Sequence, residues 1–94
     1  MGAKFQFRIY VAGDGPNSTM AIANLKALCR EHLADCHEIE IVDLRQEPER
    51  ALKDRVIMTP LVLKLLPKPA RQLIGNLSDG EMVLQTFDMK KTEP

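Results

Sequence analysis

Four side chains that can bind metals or react as nucleophiles lie close together near the middle of the chain. Cys29, His32, Cys36 and His37 together have the composition of a zinc site. Zinc fingers place their ligand pairs across a loop or between elements, and four ligands at one helix end would force that helix to unwind. We therefore expect no metal site. Instead we expect a buried Cys29, a His32 that caps the helix end, and exposed Cys36 and His37, with zinc binding as the alternative.

The two cysteines also bear on redox chemistry. Six residues separate Cys29 from Cys36, so the chain lacks the C-x-x-C spacing of a dithiol redox centre. Cys29 also belongs to the apolar stripe of a predicted helix, where a free cysteine behaves as a small hydrophobic side chain. A thiol–disulfide redox function is therefore the alternative hypothesis, and it requires an exposed thiol of low pKa at Cys29 or Cys36.

The remaining polar residues do not form a catalytic pattern. No Ser-His-Asp or Cys-His arrangement can be argued from their spacing, and the "GDG" at residues 13–15 is too short and lacks the lysine of a phosphate-binding loop. Asp43 and Asp54 could be imagined as an acid pair, but single acids at the ends of elements are usually solvated. We therefore predict a protein that is not an enzyme and has no cofactor.

Composition and charge exclude two classes of partner. The chain has 94 residues, and its 13 basic and 13 acidic side chains cancel and are interspersed. Nucleic acids and membrane surfaces are bound largely through clustered Lys and Arg, so we expect neither as the main partner. No apolar run approaches the roughly 20 residues of a membrane span, and the N-terminus has no secretory apolar region. We expect a cytoplasmic protein with one domain over residues 1–94, of a size at which contacts between copies add stability.

The elements that position these residues are plain in the first half. Phe5, Phe7, Ile9 and Val11 alternate with polar residues as in a half-buried strand. The turn "AGDGPNS" follows, in which Asn17 or Ser18 is predicted to cap a helix that runs to about residue 34. An apolar segment at residues 39–44 predicts a second strand. A strand, a helix and a strand in this order predict a βαβ unit with two parallel strands.

A short helix is predicted at residues 47–57, with Pro48 at its first position and basic residues near its end. After residue 60 the pattern becomes ambiguous. "LVLKLLPKPARQLIG" at residues 61–75 fits both the strand and the helix period. Residues 78–89 open with a capping box, Ser78 and Glu81, and place Val83, Leu84 and Phe87 on one helical face, yet a strand also remains possible there.

Several ordered blocks of this sequence resemble the KaiB family of bacterial circadian clock proteins. They are "IYVAGDGPNS", "IVDL", a proline at 48, "TP" at 59–60, "LPKPARQLIGNLSD", and a final "VL" and "FD". The resemblance implies an α/β, thioredoxin-like fold without thioredoxin chemistry, and a protein that acts by binding a KaiC-type hexameric ATPase. It also implies that residues 1–57 keep one structure while residues 58–94 switch between two packings. One packing self-associates, so we expect a homo-oligomer, either a dimer or a tetramer.

The resemblance also assigns residues to sites. The implied partner-binding residues are Asn17 and Ser18 in the first turn, Arg55 facing the ring, and the charged residues Lys64, Arg71 and Asp88. The implied hinge into the variable half is Thr59 and Pro60, together with Thr86, which replaces a glycine of the family and restricts the backbone. Met20, Glu40 and Gln72 replace basic residues of the clock proteins. Circadian timing and a stress or signalling role both remain open.

Overall fold

The computed structural model describes residues 4–89, which form a four-stranded sheet with three helices. The strands lie in the order β2-β1-β3-β4; β1 and β2 are parallel, and β3 is antiparallel to both β1 and β4. In chain order the elements are β1 (Phe5–Val11), α1 (Pro16–His32), β2 (His37–Asp43), α2 (Glu49–Lys53), β3 (Leu61–Leu66), β4 (Arg71–Ile74) and α3 (Gly80–Thr86).

The βαβ unit predicted from the first half is confirmed. β1 pairs with β2 in parallel from Phe5 opposite His37 to Val11 opposite Asp43. The strand β2 begins two residues before the predicted boundary, because His37 and Glu38 also pair with β1. The prediction that His37 is exposed is wrong, since this pairing leaves it partly buried. Alternate residues of β1 face α1 and α3 and join one large core, which contains Phe7, Ile9, Val11, Ala21, Leu25, Cys29, Val62, Val83 and Phe87.

The start of α1 differs from the prediction. The residue before the helix is Gly15, which makes no side-chain capping hydrogen bond, and Pro16 is the first helical residue. A proline fits there because its missing N–H would have no partner inside the helix. The prediction that Asn17 or Ser18 caps this helix is wrong: Ser18 is buried in the first turn, and Asn17 contacts a different loop.

The structure resolves the two ambiguous stretches into different elements. Residues 61–75 form an antiparallel hairpin of β3 and β4, with Pro67 and Pro69 in the loop between them, where no ladder hydrogen bond is lost. Residues 80–86 form the helix α3. The predicted capping box begins one residue too early. Asp79 and not Ser78 caps α3, and its side chain accepts the hydrogen bond from Met82 N at 3.2 Å.

The short helix α2 and the segments before and after it lie on the second face of the sheet. This helix spans Glu49–Lys53, not residues 47–57, and Pro48 precedes it as the capping residue. At five residues it is about 7.5 Å long, whereas β1 spans roughly 23 Å. A small second core of Tyr10, Val42 and Leu61 lies at one end of this face, and Leu44, Val56 and Leu63 pack against it. Within residues 4–89 no helix is long and apolar enough to cross a membrane.

Candidate partner-binding edge

Four loops meet at one edge of the sheet. β1 and β2 are parallel, so their carboxyl ends lie together there. β3 begins at the same edge, since Leu61 pairs with Tyr10, and β4 ends there, since Ile74 pairs with Leu61. We call residues 12–18, 44–48, 54–60 and 75–77 the turn edge. In α/β sheets with parallel strands, this is the side on which ligands and partners usually bind.

The first loop of the turn edge is fixed by Asp43. Its Oδ1 accepts hydrogen bonds from Gly13 N at 3.0 Å and from Arg45 N at 2.9 Å, which joins the loop after β1 to the loop after β2. Gly13 has φ +87, and a Cβ there would lie 2.5 Å from Nη1 of Arg45. The positive φ favours glycine at this position, whereas the exposed Arg45 side chain could move away from a Cβ. Asp43 positions the loop and is not half of an acid pair with Asp54.

Asn76 joins the start of α1 to the loop after β4. Its carbonyl oxygen accepts a hydrogen bond from Asn24 Nδ2 at 2.8 Å, and its own Nδ2 donates to Asn17 Oδ1 at 3.4 Å. Asn17 is exposed, whereas Ser18 is buried beside it. Of the two residues predicted in this turn, Asn17 therefore offers a contact surface and Ser18 supports the turn from within.

Arg55 occupies a strained backbone position at the end of α2. Its φ is +59, the left-handed conformation that glycine normally takes after a helix. Val56 N donates to Ala51 O at 2.8 Å and Arg55 N to Leu52 O at 3.3 Å, which closes the last turn of the helix. This conformation destabilises a non-glycine residue by about 1–2 kcal/mol relative to its ordinary backbone conformations. The chain thus holds an exposed cation at a costly position.

Apolar side chains flank Arg55 and are exposed to solvent. Leu52, Ile57 and Met58 are 88%, 92% and 58% exposed. We call Leu52, Arg55, Ile57 and Met58 the Arg55 patch. Exposed apolar side chains with polar or charged neighbours are typical of protein-interaction sites. The sequence did not reveal these residues, although "VIM" directly after the helix end and before a proline was a visible signal.

The predicted hinge lies beside this patch. Pro60 is buried, and its carbonyl oxygen accepts the hydrogen bond from Gly75 N at 2.9 Å. Thr59 is half-buried. Both residues therefore lie where the first half of the chain enters the β3–β4 hairpin.

A polar network attaches α2 to the sheet behind the turn edge. Tyr10 Oη donates to Asp54 Oδ2 at 2.6 Å, and Arg50 Nε donates to the same oxygen at 3.0 Å. Arg8 continues the network, with Nε 2.6 Å from Glu40 Oε1. The hydrogen bond from Tyr10 is the main cause that lowers the pKa of Asp54, while burial is the main cause that raises the pKa of Tyr10. The short helix is thus held mainly by side-chain hydrogen bonds.

Lys64, Arg71 and Asp88 lie away from the turn edge. Lys64 is three residues along β3 from Leu61, about 10 Å, and pairs with Phe7 on one side and Arg71 on the other. It is 2% exposed; burial lowers its pKa, the charge of Asp88 opposes that shift, and Arg71 adds to it. Asp88 and Thr86 lie at the end of α3. The structure therefore divides the predicted site residues into two groups.

The cysteines and histidines do not form a site in the part of the chain that the structure describes. Cys29 is fully buried, and burial raises its pKa to about 12, while Cys36 is exposed and free. No group of three or more His, Cys, Asp or Glu side chains within residues 4–89 is arranged to hold a metal ion. His37 Nδ1 is buried and has no hydrogen-bond partner among the described residues.

Comparison with known proteins identifies the family. The KaiB domain model matches residues 8–89. The chain is 38% identical over 82 residues to circadian clock protein KaiB3 of a Synechocystis species, covering 87% of this chain and 80% of that protein. It is 36% identical over 85 residues to the circadian clock oscillator protein KaiB of Microcystis aeruginosa, covering 90% and 82%.

Solved structures show the fold. The N-terminal domain of Synechococcus elongatus SasA superposes with a TM-score of 0.72 at 16% identity, covering 100% of this chain and 92% of that one. Thioredoxin from Fasciola hepatica superposes with a TM-score of 0.70 at 17% identity, covering 95% and 84%. The fold is thioredoxin-like, as the resemblance implied, and the sequence matches show that this chain belongs to the KaiB family.

Proposed function

We propose that this chain is a regulatory binding protein without enzymatic activity, which docks on a KaiC-type hexameric ATPase in the cytoplasm. The observation that carries the proposal is the Arg55 patch, a cation on a strained backbone among exposed apolar side chains. Burial of these apolar side chains by a partner would stabilise the complex through the hydrophobic effect. Membership in the KaiB family supplies the class of partner.

The contact surface in this proposal is the turn edge. Asn17 and Arg55 contact the partner, and Ser18, Thr59 and Pro60 hold the loops that present them. Lys64 is buried and lies with Arg71 and Asp88 on another part of the molecule. Their membership in the binding site remains a prediction that the geometry of the turn edge does not support.

The biological setting of the proposal is circadian timing or a related stress or signalling pathway. Relatives with 35–38% identity carry clock names, which favours timing. Glu40, which replaces a lysine of the clock proteins, pairs with Arg8 at 2.6 Å and thereby neutralises a cation on β1 instead of adding one on β2. This change in surface charge lies on β2, outside the turn edge.

The docking experiment compares two charge reversals. Arg55→Glu is expected to weaken binding to a purified KaiC-type hexamer at least tenfold, because reversing a charge that becomes buried and paired costs about 2–5 kcal/mol. Arg30→Glu, an exposed position near the other end of α1, is the matched control and should bind like wild type. Surface plasmon resonance gives both dissociation constants. Equal affinities of wild type and Arg55→Glu would remove Arg55 from the interface.

The thiol–disulfide alternative has less support. It needs an accessible thiol of low pKa, and Cys29 is buried with its pKa raised to about 12. The likeness to thioredoxins concerns the fold, and residues 12–18 hold no cysteine. Only Cys36 among the described cysteines is exposed, so the alternative would have to work through a single thiol.

A further inference from the structure

Lys64 is a buried cation in the second half of the chain. Only 2% of it is exposed. It lies two residues from Val62 along β3, and the alternation of side chains along a strand places both on the same side of the sheet. Val62 packs on that side with Val83 of α3 in the large core. Lys64 therefore extends from a strand face that otherwise supplies apolar core residues.

The ammonium group of Lys64 has no close partner in the described part of the chain. Among residues 4–89, none of the side-chain hydrogen bonds or ion pairs involves it. Asp88, just after α3, acts on it through its charge from beyond ion-pair distance. A buried charge without a close partner destabilises a fold, whereas an apolar side chain of similar volume at the same place does not.

Arg71 adds a second cation beside the first. It lies directly opposite Lys64 in the β3–β4 ladder. Directly opposite side chains of an antiparallel pair lie on the same side of the sheet, with their Cβ atoms about 4.5–5.5 Å apart, and like charges in such a pair are destabilising. The position therefore combines burial of one charge with repulsion from another.

We propose that Lys64 is a charge-dependent weak point of the fold: its charge loosens the packing of the β3–β4 hairpin, and loss of that charge tightens it. Lys64 and Arg71 then act on the stability of the hairpin instead of contacting a partner at the turn edge. The weak point and the docking of an ATPase are independent, so either proposal can fail alone.

Replacement of Lys64 by an apolar side chain tests the weak point. Lys64→Met should raise Tm by about 4–8 °C, because methionine fills the site without a charge. Lys68→Met, in the exposed loop of the same hairpin, is the matched control and should change Tm little. Thermal unfolding followed by circular dichroism gives both values. A Tm of Lys64→Met at or below that of wild type overturns the proposal.

Arg71→Gln tests the repulsion between the two cations. Its effect on Tm should be more favourable in the wild-type background than in the Lys64→Met background, because the like charge that it relieves is absent from the second. Equal effects in the two backgrounds would overturn the part of the proposal that concerns Arg71.

The pH dependence shows whether charge is the cause. Burial lowers the pKa of Lys64, so wild type gains stability relative to Lys64→Met as the pH rises from the folded value to the unfolded value of about 10.4. The charged groups that act on Lys64 are Arg71 on β4 and Asp88 after α3, neither of a type that titrates in this range, and β1 places Phe7 opposite it. The Tm difference should therefore narrow with rising pH, and a constant difference overturns the proposal.

Hydrogen exchange at neutral pH shows where the charge acts. The amides of Leu61–Leu66 and Arg71–Ile74 should exchange about fivefold more slowly in Lys64→Met than in wild type, because opening of the hairpin becomes less favourable. Those of Glu49–Lys53 in α2 should keep their rates. Unchanged exchange in the hairpin would overturn the proposal even if Tm rises.

Discussion

At the scale of single residues, Arg55 links strain to function. A glycine would take its φ of +59 without cost, and an arginine does not. Strained residues persist where the surrounding structure holds them, and they concentrate at binding sites. Here the last turn of α2 holds the backbone, and the exposed Leu52, Ile57 and Met58 lie close to Arg55 in the sequence.

Replacing Arg55 should therefore separate stability from binding. Arg55→Gly is expected to raise the free energy of unfolding by about 0.5–1 kcal/mol, because relief of the backbone strain exceeds the extra entropy of glycine in the unfolded chain. Urea unfolding measures this gain. The same variant should bind the KaiC-type ATPase more weakly than wild type, since the cation is lost.

Arg55→Ala is the matched control for that variant. It removes the same charge but keeps a Cβ, so it should lose affinity without gaining stability. If Arg55→Gly is no more stable than Arg55→Ala, the positive φ does not store strain. If both variants bind like wild type, the cation is not part of the site.

At the scale of elements, α2 is a short helix that depends on its side-chain network. It has no buried residue of its own, and the Tyr10–Asp54–Arg50 hydrogen bonds hold it on the sheet. Such an element is expected to open more easily than the core helix α1, because few apolar contacts oppose its release. We expect the Arg55 patch, which lies at the end of α2 and directly after it, to open together with this helix.

Tyr10→Phe tests this attachment. Loss of one hydrogen bond from a buried hydroxyl should lower Tm by about 4–8 °C at neutral pH. The Asp54 pKa is depressed in the folded protein, chiefly by Tyr10, so this carboxylate stabilises the fold above its unfolded pKa and loses that effect as pH falls through the lower folded value. The difference between wild type and Tyr10→Phe should therefore shrink as the pH falls below about 4.

The same difference should shrink in alkali. The pKa of Tyr10 is raised on folding, so its contribution is complete below about pH 10 and is lost as the pH rises through the folded value. Thermal unfolding followed by circular dichroism across this range gives the profile. Hydrogen exchange shows which part of the fold the variant loosens. The amides of Glu49–Lys53 should exchange faster in the variant, and those of Leu25 and Val83 should not. A pH-independent Tm difference would show that the hydroxyl does not act through Asp54.

At the scale of the whole molecule, the first half of the chain has an apolar pattern that fits one secondary structure. The pattern of the second half fits both a strand and a helix. In the second half, residues 58–94, the part that the structure describes ends at residue 89 and consists of a hairpin and a helix. We propose that this half also adopts the second packing that the family resemblance implies. Two packings coexist only when their free energies differ by a few kcal/mol, so that a partner that binds one of them shifts the population.

Thr86→Gly tests the balance between the two packings, and the structure now supplies its direction. Thr86 is the last residue of α3 and does not need a glycine conformation there. Glycine has a helix propensity only about 0.3 kcal/mol poorer than threonine, so the population of the thioredoxin-like packing should fall slightly, by a factor of about 1.5–2. Amide NMR with slow-exchange detection measures the ratio.

Ala27→Gly is the control for that experiment, because Ala27 is exposed in α1, in the half that both packings share. It should lower stability without changing the ratio. One set of resonances in wild type and Thr86→Gly, with no change on addition of a KaiC-type ATPase, would mean that residues 61–75 have a single structure.

Sequence patterns alone were enough to predict the βαβ unit and the family. The alternation of Phe5, Phe7, Ile9 and Val11 and the stripe of α1 are local patterns, and each has one solution that buries its apolar residues. The family blocks run through both halves, so the thioredoxin-like fold could be expected before the structure was known. Local signals failed at helix boundaries, where Gly15 and Asp79 took the capping positions instead of the predicted residues.

The remaining features could not be predicted from local patterns, because they depend on contacts between residues that are distant in the sequence. Leu61 and Val62 are both buried because β3 pairs with β1 and has a core on each face, and no local period specifies such a strand. The same pairing buries Lys64, which the family resemblance implied to lie on a charged binding surface. It also brings Asn17 and Arg55 to the turn edge and leaves Arg71 and Asp88 elsewhere, since the strand order alone determines which loops are neighbours.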